Sequence, residues 1–153
     1  MSREIPTRTS AGADPVRLFR AGAYGFVLLG VGHLALSAAE ASATMTPERR
    51  AADTALRESS FALLGLDRTA LDVTHGMSIA MALFAVACGL LMLAAVRHAP
   101  ALVQRRTVFG GIALLVSLTV LATSLLLLPV PPIVILTVTS CAFALSLRRA
   151  AAA

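Results

Sequence analysis

Five side chains in this 153-residue sequence have the chemistry to bind a ligand within an otherwise apolar chain. They are two imidazoles, two carboxylates and one guanidinium: His33, Glu40, Arg68, Asp72 and His75. Ionisable groups at membrane depth are costly, so they usually face the interior of a helix bundle and pair there. Positions 68, 72 and 75 are spaced by four and three residues, which predicts that they share one helix face. These five residues form the candidate site, and their role depends on the helices that hold them.

Three interpretations of these side chains stay open. In the first, they form a polar clasp, in which Arg68 pairs with Asp72 or Glu40 and each histidine bonds a neighbour. In the second, His33 and His75 bind haem or an unassigned metal, because histidine is the commonest metal ligand in proteins. In the third, Arg68 holds an anion in a small outward-facing pocket for a lipid, a quinone or a polar solute. The sequence does not say whether His33 and His75 meet.

The composition indicates a membrane protein. The chain is 58% hydrophobic and 14% charged, whereas soluble domains carry about 25% charged residues. All thirteen basic residues are arginines, and most of them lie at the ends of apolar runs. With one tyrosine and no tryptophan to stack on bases, we expect no nucleic-acid partner. Cys88 and Cys141 lie inside apolar runs, and we expect them to be buried small hydrophobes rather than a disulfide.

Four apolar runs predict membrane helices at about residues 18–39, 71–96, 108–128 and 131–147. The fold class that follows is an all-α, four-helix transmembrane bundle with up-down antiparallel order. It occupies residues 16–149, and the last two helices form a tight hairpin. Residues 1–15 lack an apolar period and are expected to be a mobile cytoplasmic tail, with residues 150–153 as a second tail.

Two capping patterns mark helix starts around the polar interval of residues 40–66. The tripeptide Thr46–Glu48 gives an N-cap, a proline and an acid in order, which predicts a short amphipathic helix in the first outer loop, ended by Gly65. A simple solvated helix is the alternative. Thr69 and Asp72 have the spacing of a capping box and predict the start of the second membrane helix. No period-2 pattern indicates a strand.

The arginines also predict orientation. Four arginines precede or open the first apolar run, three lie between the second and third runs, and two follow the fourth. The positive-inside rule therefore predicts a multi-pass protein of the inner (plasma) membrane with both termini in the cytoplasm. An alternative for residues 1–43 is a cleaved signal peptide, because Ala41-Ser42-Ala43 has the form of a cleavage site.

Two short motifs carry a resemblance. The segment Gly30–Leu34 has a Gly-x-x-His-like element, and Gly65–Asp72 reads Gly-x-x-Arg-Ser/Thr-x-x-Asp, with Gly76 shortly after it. Over about residues 18–147 the chain resembles an uncharacterised family of small bacterial four-helix integral membrane proteins. The resemblance implies four membrane helices and no particular activity. His75 stands where that pattern would have an aromatic residue.

The function expected from these patterns is that of a structural or partner-binding membrane subunit, not an enzyme by itself. Its partners are the lipid bilayer and another membrane protein or a second copy. One alternative is a membrane redox subunit that binds haem or quinone through His33 and His75. The other is a small-ligand-binding membrane protein with an outward-facing pocket. The sequence contains no phosphate-binding loop, zinc-protease helix motif or nucleophile elbow.

Overall fold

The computed structural model describes residues 14–63, 65–105 and 107–152, so most of the predicted tail at residues 1–15 lies outside the described residues. Its elements, in chain order, are α1 (Pro15–Ser42), α2 (Pro47–Glu58), β1 (Ser60–Leu63), β2 (Leu66–Thr69), α3 (Ala70–His98), α4 (Ala101–Gln104), α5 (Val108–Leu127) and α6 (Val130–Ala150). The four long helices α1, α3, α5 and α6 each have the length and apolar composition to cross a membrane. The predicted set of four long apolar helices is confirmed.

Helices α1, α3 and α6 extend one to three residues past the apolar runs that predict them, whereas α5 begins at the predicted residue. Asp14 precedes α1, and its carboxylate accepts a hydrogen bond from the Val16 amide at 3.0 Å. Thr107 caps α5 in the same way, with its hydroxyl accepting from the Gly110 amide at 3.5 Å. Such caps satisfy backbone donors that the first helical turn leaves without partners. Hydropathy therefore locates the long helices, and polar caps mark where α1, α3 and α5 begin.

The described residues are mostly helical, as predicted, but they include one small β-hairpin that no sequence pattern indicates. Strands β1 and β2 pair antiparallel, with Ser60 opposite Thr69 and Leu63 opposite Leu66. The short helix predicted to run up to Gly65 ends earlier, at Glu58. Gly65 instead lies in the hairpin turn, with a φ of +80° that glycine adopts without steric strain. Each strand has only four residues, which is too short for its alternation to stand out from the sequence.

Helix α1 is central, because it packs against both α3 and α6, and α6 packs in turn against α5. Across the described residues, α3 and α5 have no comparably close approach, so the lateral order is α3, α1, α6, α5. A Cβ at Gly30 would overlap Ala82 of α3, and a Cβ at Gly89 would lie 2.7 Å from the Ala23 carbonyl oxygen of α1. The contacts run in opposite order along the two chains, so α1 and α3 form an antiparallel pair.

The apolar core lies at the end of the molecule where α1 begins, α3 ends and α4 lies. Its largest members are three phenylalanines, with ring centroids 4.9 Å apart for Phe19 and Phe143 and 6.3 Å apart for Phe26 and Phe143. Val96 of α3 and Val103 of α4 complete the same cluster. By contrast, no residue from 31 to 42 of α1 is buried. The helices are therefore packed most closely at one end.

The two cysteines differ from their prediction in burial. Cys88 and Cys141 are both exposed on the helix surfaces rather than buried in the core, and no disulfide joins them. An apolar run predicts that a residue lies at membrane depth, but not which side of the helix it occupies. Both thiols therefore lie on faces that the protein itself leaves uncovered.

Candidate functional site

His33 of α1 is hydrogen-bonded to Ser78 of α3. The His33 Nε2 and the Ser78 Oγ are 2.6 Å apart. The hydroxyl donates to Nε2 when the ring carries its proton on Nδ1, and accepts from Nε2 in the other tautomer. His33 is exposed and Ser78 is half-buried. The bond extends the α1–α3 contact beyond Gly30, toward the loosely packed end of the pair.

His75 lies on α3 three residues before Ser78 and is exposed. Three residues correspond to a rise of about 4.5 Å along a helix. The first partner that the structure gives His33 is thus a serine hydroxyl, with His75 about one turn away along α3. Within residues 14–63, 65–105 and 107–152, no group of three or more His, Cys, Asp or Glu side chains has the arrangement to hold a metal ion. The two-histidine haem site stays a hypothesis.

Asp72 forms the predicted capping box with Thr69 at the start of α3. The Asp72 amide donates to the Thr69 hydroxyl at 3.1 Å, and the Thr69 amide donates to the Asp72 carboxylate at 3.3 Å. The Thr69 hydroxyl also donates to that carboxylate at 2.8 Å. The box satisfies two amides that the first turn leaves unpaired. The Asp72 carboxylate therefore has a structural task in setting the boundary between β2 and α3.

Arg68 lies outside α3, and this corrects the prediction that it shares a helix face with Asp72 and His75. It belongs to β2, where it pairs across the hairpin with Phe61. Strand geometry places neighbouring side chains on alternate faces, so the helical spacing of four and three residues does not apply. The Arg68 side chain is exposed. The predicted face of three residues is reduced to Asp72 and His75.

Glu40 pairs with Arg49 rather than with Arg68. A guanidinium nitrogen of Arg49 lies 3.5 Å from the Glu40 carboxylate, which links the last turns of α1 to the first turn of α2. The Arg49 side chain is 41% exposed and that of Glu40 is 53% exposed. Ion pairs of this exposure contribute at most about 1 kcal/mol to stability. In the part of the chain that the structure describes, this is the one ion pair. His33, Glu40 and Asp72 therefore form separate local contacts, and the five candidate residues do not form one cluster.

Two surface clefts lie away from these five residues. One, of about 550 Å³, is open and runs along α2 between Met45 and Glu58. The other, of about 490 Å³, lies at the opposite end of the α1–α3 pair, beside Arg20 and Arg97. An outward-facing pocket built around Arg68 was one of the interpretations from the sequence. Arg68 lines neither of these two clefts.

A set of buried hydroxyl groups on α5 and α6 is not predicted by the sequence patterns above. Its members are each at most 5% exposed: Ser117, Ser124, Thr139, Ser140 and Ser146. Ser140 donates to the Ser117 hydroxyl at 3.1 Å, and Ser117 donates to the Leu114 carbonyl at 2.9 Å. The Thr139 hydroxyl is buried without a partner among the described residues. The seven-residue spacings, 117 to 124 and 139 to 146, were the available signal, because they place hydroxyls on one helix face.

Comparison with known proteins returns no relative: the chain matches no protein-family model, no curated protein and no solved structure. The chemistry of the site therefore has to be taken from its own geometry. His33 ties α1 to α3, Glu40 ties α1 to α2, and Asp72 ends the hairpin and opens α3. Each of these contacts lies between two elements of the fold or at the boundary between them.

Proposed function

We propose that this chain is a multi-pass protein of the plasma membrane that works as a structural or partner-binding subunit. Four helices cross the bilayer in up-down antiparallel order, with α2 and the β-hairpin on the outer side and both termini in the cytoplasm. The partner class that fits is another membrane protein, because the surface of each long helix is largely apolar within its span.

The observation that carries this proposal is the His33–Ser78 hydrogen bond. Through this bond, the histidine of α1 joins two helices. Interhelical hydrogen bonds of this kind stabilise helix pairs in membranes by about 0.6 kcal/mol on average. Together with the Glu40–Arg49 pair and the Thr69–Asp72 box, it accounts for three of the five candidate residues through structural contacts.

The charge distribution supports the proposed orientation. The end with the apolar core has six arginines within the described residues: Arg17, Arg20, Arg97, Arg105, Arg148 and Arg149. The one carboxylate near them in the described chain is Asp14, and it caps α1. The other end mixes both signs, with Glu40, Glu48, Asp53 and Glu58 beside the arginines of α2. An excess of arginine on one side is typical of the cytoplasmic face.

Helix α1 also supports a retained first helix. It supplies Phe19 and Phe26 to the core and is the helix against which both α3 and α6 pack. Cleavage after Ala43, as in the signal-peptide alternative, would remove this shared surface. The membrane domain proposed here therefore includes α1.

The test compares His33→Ala with His75→Ala in protein purified in a mild detergent. A structural role predicts a colourless wild type, a lower thermal midpoint for His33→Ala and an unchanged midpoint for His75→Ala. The redox alternative is favoured by the position of His75, about one turn from Ser78 on α3. It predicts a Soret band or bound quinone that either substitution abolishes. Stoichiometric recovery of a membrane protein with the affinity-tagged chain, absent from a mock purification, would support the partner-binding role.

A further inference from the structure

The second cleft, at the proposed cytoplasmic end of α1 and α3, is lined by basic side chains. It has a volume of about 490 Å³ and is lined by Arg20, Tyr24, Leu93, Ala94, Arg97 and His98. Two guanidinium groups and an imidazole come from two different helices and border one space. None of the five residues singled out above lines it. Its composition differs from that of the apolar surfaces elsewhere on the helices.

The cleft has positive charge without a negative partner. No carboxylate lines it, and Arg20 and Arg97 form no ion pair with any residue that the structure describes. Two like charges that face one cleft repel each other, and an anion placed between them reverses the sign of that interaction. Arginine holds phosphate oxygens through several N–H donors at once. The charge pattern therefore fits a phosphate group.

The cleft changes from polar to apolar along the helix axis. Tyr24 follows Arg20 by four residues, and Leu93 precedes Arg97 by four, so each lies about one turn, or ~6 Å, deeper into the helix pair. The Tyr24 side chain is 60% exposed, which is the environment of a ring at the membrane interface. A phosphate at the rim and an acyl chain along Tyr24 and Leu93 would match this gradient. A free phosphate would use only the rim.

We infer that this cleft binds the phosphate headgroup of an anionic phospholipid, with Arg20 and Arg97 as the phosphate ligands and Tyr24 against the upper acyl chain. The inference rests on the membrane placement proposed above. Basic pockets between membrane helices on the cytoplasmic side are suited to such headgroups because the inner leaflet is rich in anionic lipid.

A second feature of the same residues needs a control. Arg97 and His98 lie in the last turn of α3, where the partial negative charge of the helix end favours cations. Arg148 and Arg149 occupy the same place in α6, and neither lines the cleft. Substituting the pair Arg148→Gln and Arg149→Gln removes as many charges as the pair Arg20→Gln and Arg97→Gln, from a helix end equivalent to that of Arg97. The two double variants therefore separate a built cleft from general surface charge.

The experiment reconstitutes the full chain in nanodiscs of equimolar phosphatidylcholine and phosphatidylglycerol, and native mass spectrometry counts the lipids retained. Wild type should retain phosphatidylglycerol over phosphatidylcholine. The Arg20→Gln/Arg97→Gln variant should lose that preference by roughly fivefold for each arginine, while the Arg148→Gln/Arg149→Gln variant keeps it. Arg20→Lys/Arg97→Lys retains the charge and should keep most of the preference, which covers the case in which the glutamine variant fails to fold.

Several outcomes would overturn the inference. An equal loss in both glutamine variants would reduce the effect to surface charge, and a wild type without preference would remove it. Displacement of the retained lipid by millimolar inorganic phosphate would make the cleft a site for a free anion. Failure of the proposed membrane placement has a different readout, because the chain would then stay monodisperse without detergent whatever its lipid preference.

Discussion

Gly25 of α1 faces Thr139 of α6 so closely that a Cβ at position 25 would overlap the Thr139 hydroxyl oxygen and lie 3.2 Å from its Cβ. The threonine is 1% exposed, and its Cβ, unlike its hydroxyl, cannot rotate away from the added atom. The contact therefore fixes how closely α1 and α6 approach.

Gly25→Ala should lower the free energy of unfolding by about 1–3 kcal/mol, because the added methyl group overpacks a rigid contact. Gly32→Ala is the matched control on the same helix, since nothing lies within 4 Å of a Cβ at position 32. That change should be neutral or stabilising by up to about 1 kcal/mol through helix propensity. The thermal midpoint in detergent measures both, and equal midpoints for the two variants would contradict the α1–α6 packing.

Gly89 makes the corresponding contact between α3 and α1. A Cβ there would lie 2.7 Å from the Ala23 carbonyl oxygen and 2.9 Å from the Val27 amide nitrogen, and backbone atoms cannot turn aside. Gly89→Ala should therefore separate the two helices, with a loss of about 1–3 kcal/mol. Gly76→Ala, also on α3 but with open space around position 76, should cause no such loss. Chemical denaturation in mixed micelles compares the two, and a destabilised Gly76→Ala would point to a cause other than this interface.

The Thr139 hydroxyl has no hydrogen-bond partner among the described residues, so its removal should not lower stability as the two glycine substitutions do. Thr139→Val keeps the shape of the side chain and removes an unsatisfied polar group, so stability should stay the same or rise by about 1 kcal/mol. Ser140→Ala removes the bond to Ser117 and should lower stability by about 0.5–1 kcal/mol. Thermal midpoints of the two single variants test this contrast. A large loss in Thr139→Val would show that the hydroxyl has a partner in the membrane, such as an ordered water.

The His33–Ser78 bond predicts energetic coupling between two residues 45 positions apart. His33→Ala, Ser78→Ala and the double variant form a cycle, whose coupling energy should be about 0.6 kcal/mol and no more than about 1.7 kcal/mol. A cycle of His75→Ala with Ser78→Ala on the same helix is the comparison and should show a smaller value. Additive losses in the first cycle would mean that the bond contributes nothing to stability.

The proposed orientation predicts the accessibility of single cysteines in a variant that lacks Cys88 and Cys141. A cysteine at Gln104 should react with a membrane-impermeant maleimide only after the cells are opened. A cysteine at Thr54 on α2 should react in intact cells, because that helix is proposed to lie outside. The opposite labelling pattern would reverse the topology.

Much of this fold can be predicted from local sequence patterns. The apolar runs locate the four long helices because each run meets the length requirement of the bilayer by itself. The Thr69–Asp72 box is predicted because both partners lie within one turn of a helix. By contrast, the partner of His33 depends on the register between α1 and α3. The sequence of α3 does not show that register, so Ser78 could not be predicted as the partner. The spacing of Arg68 to Asp72 predicts a helical position, whereas strand pairing with Phe61 determines where Arg68 lies.

The Ser146 hydroxyl donates to the Pro15 carbonyl oxygen at 2.8 Å, across 131 positions of sequence. A ribosome delivers Pro15 131 residues before Ser146, so α1 is made well before α6, the helix that brings Phe143 against its phenylalanines. During that interval α3 is its available neighbour, and the glycines at positions 30 and 89 allow the two helices to dock first. Helix α6 is the later of the two helices that pack on α1, so its docking is the step that covers the second side of α1.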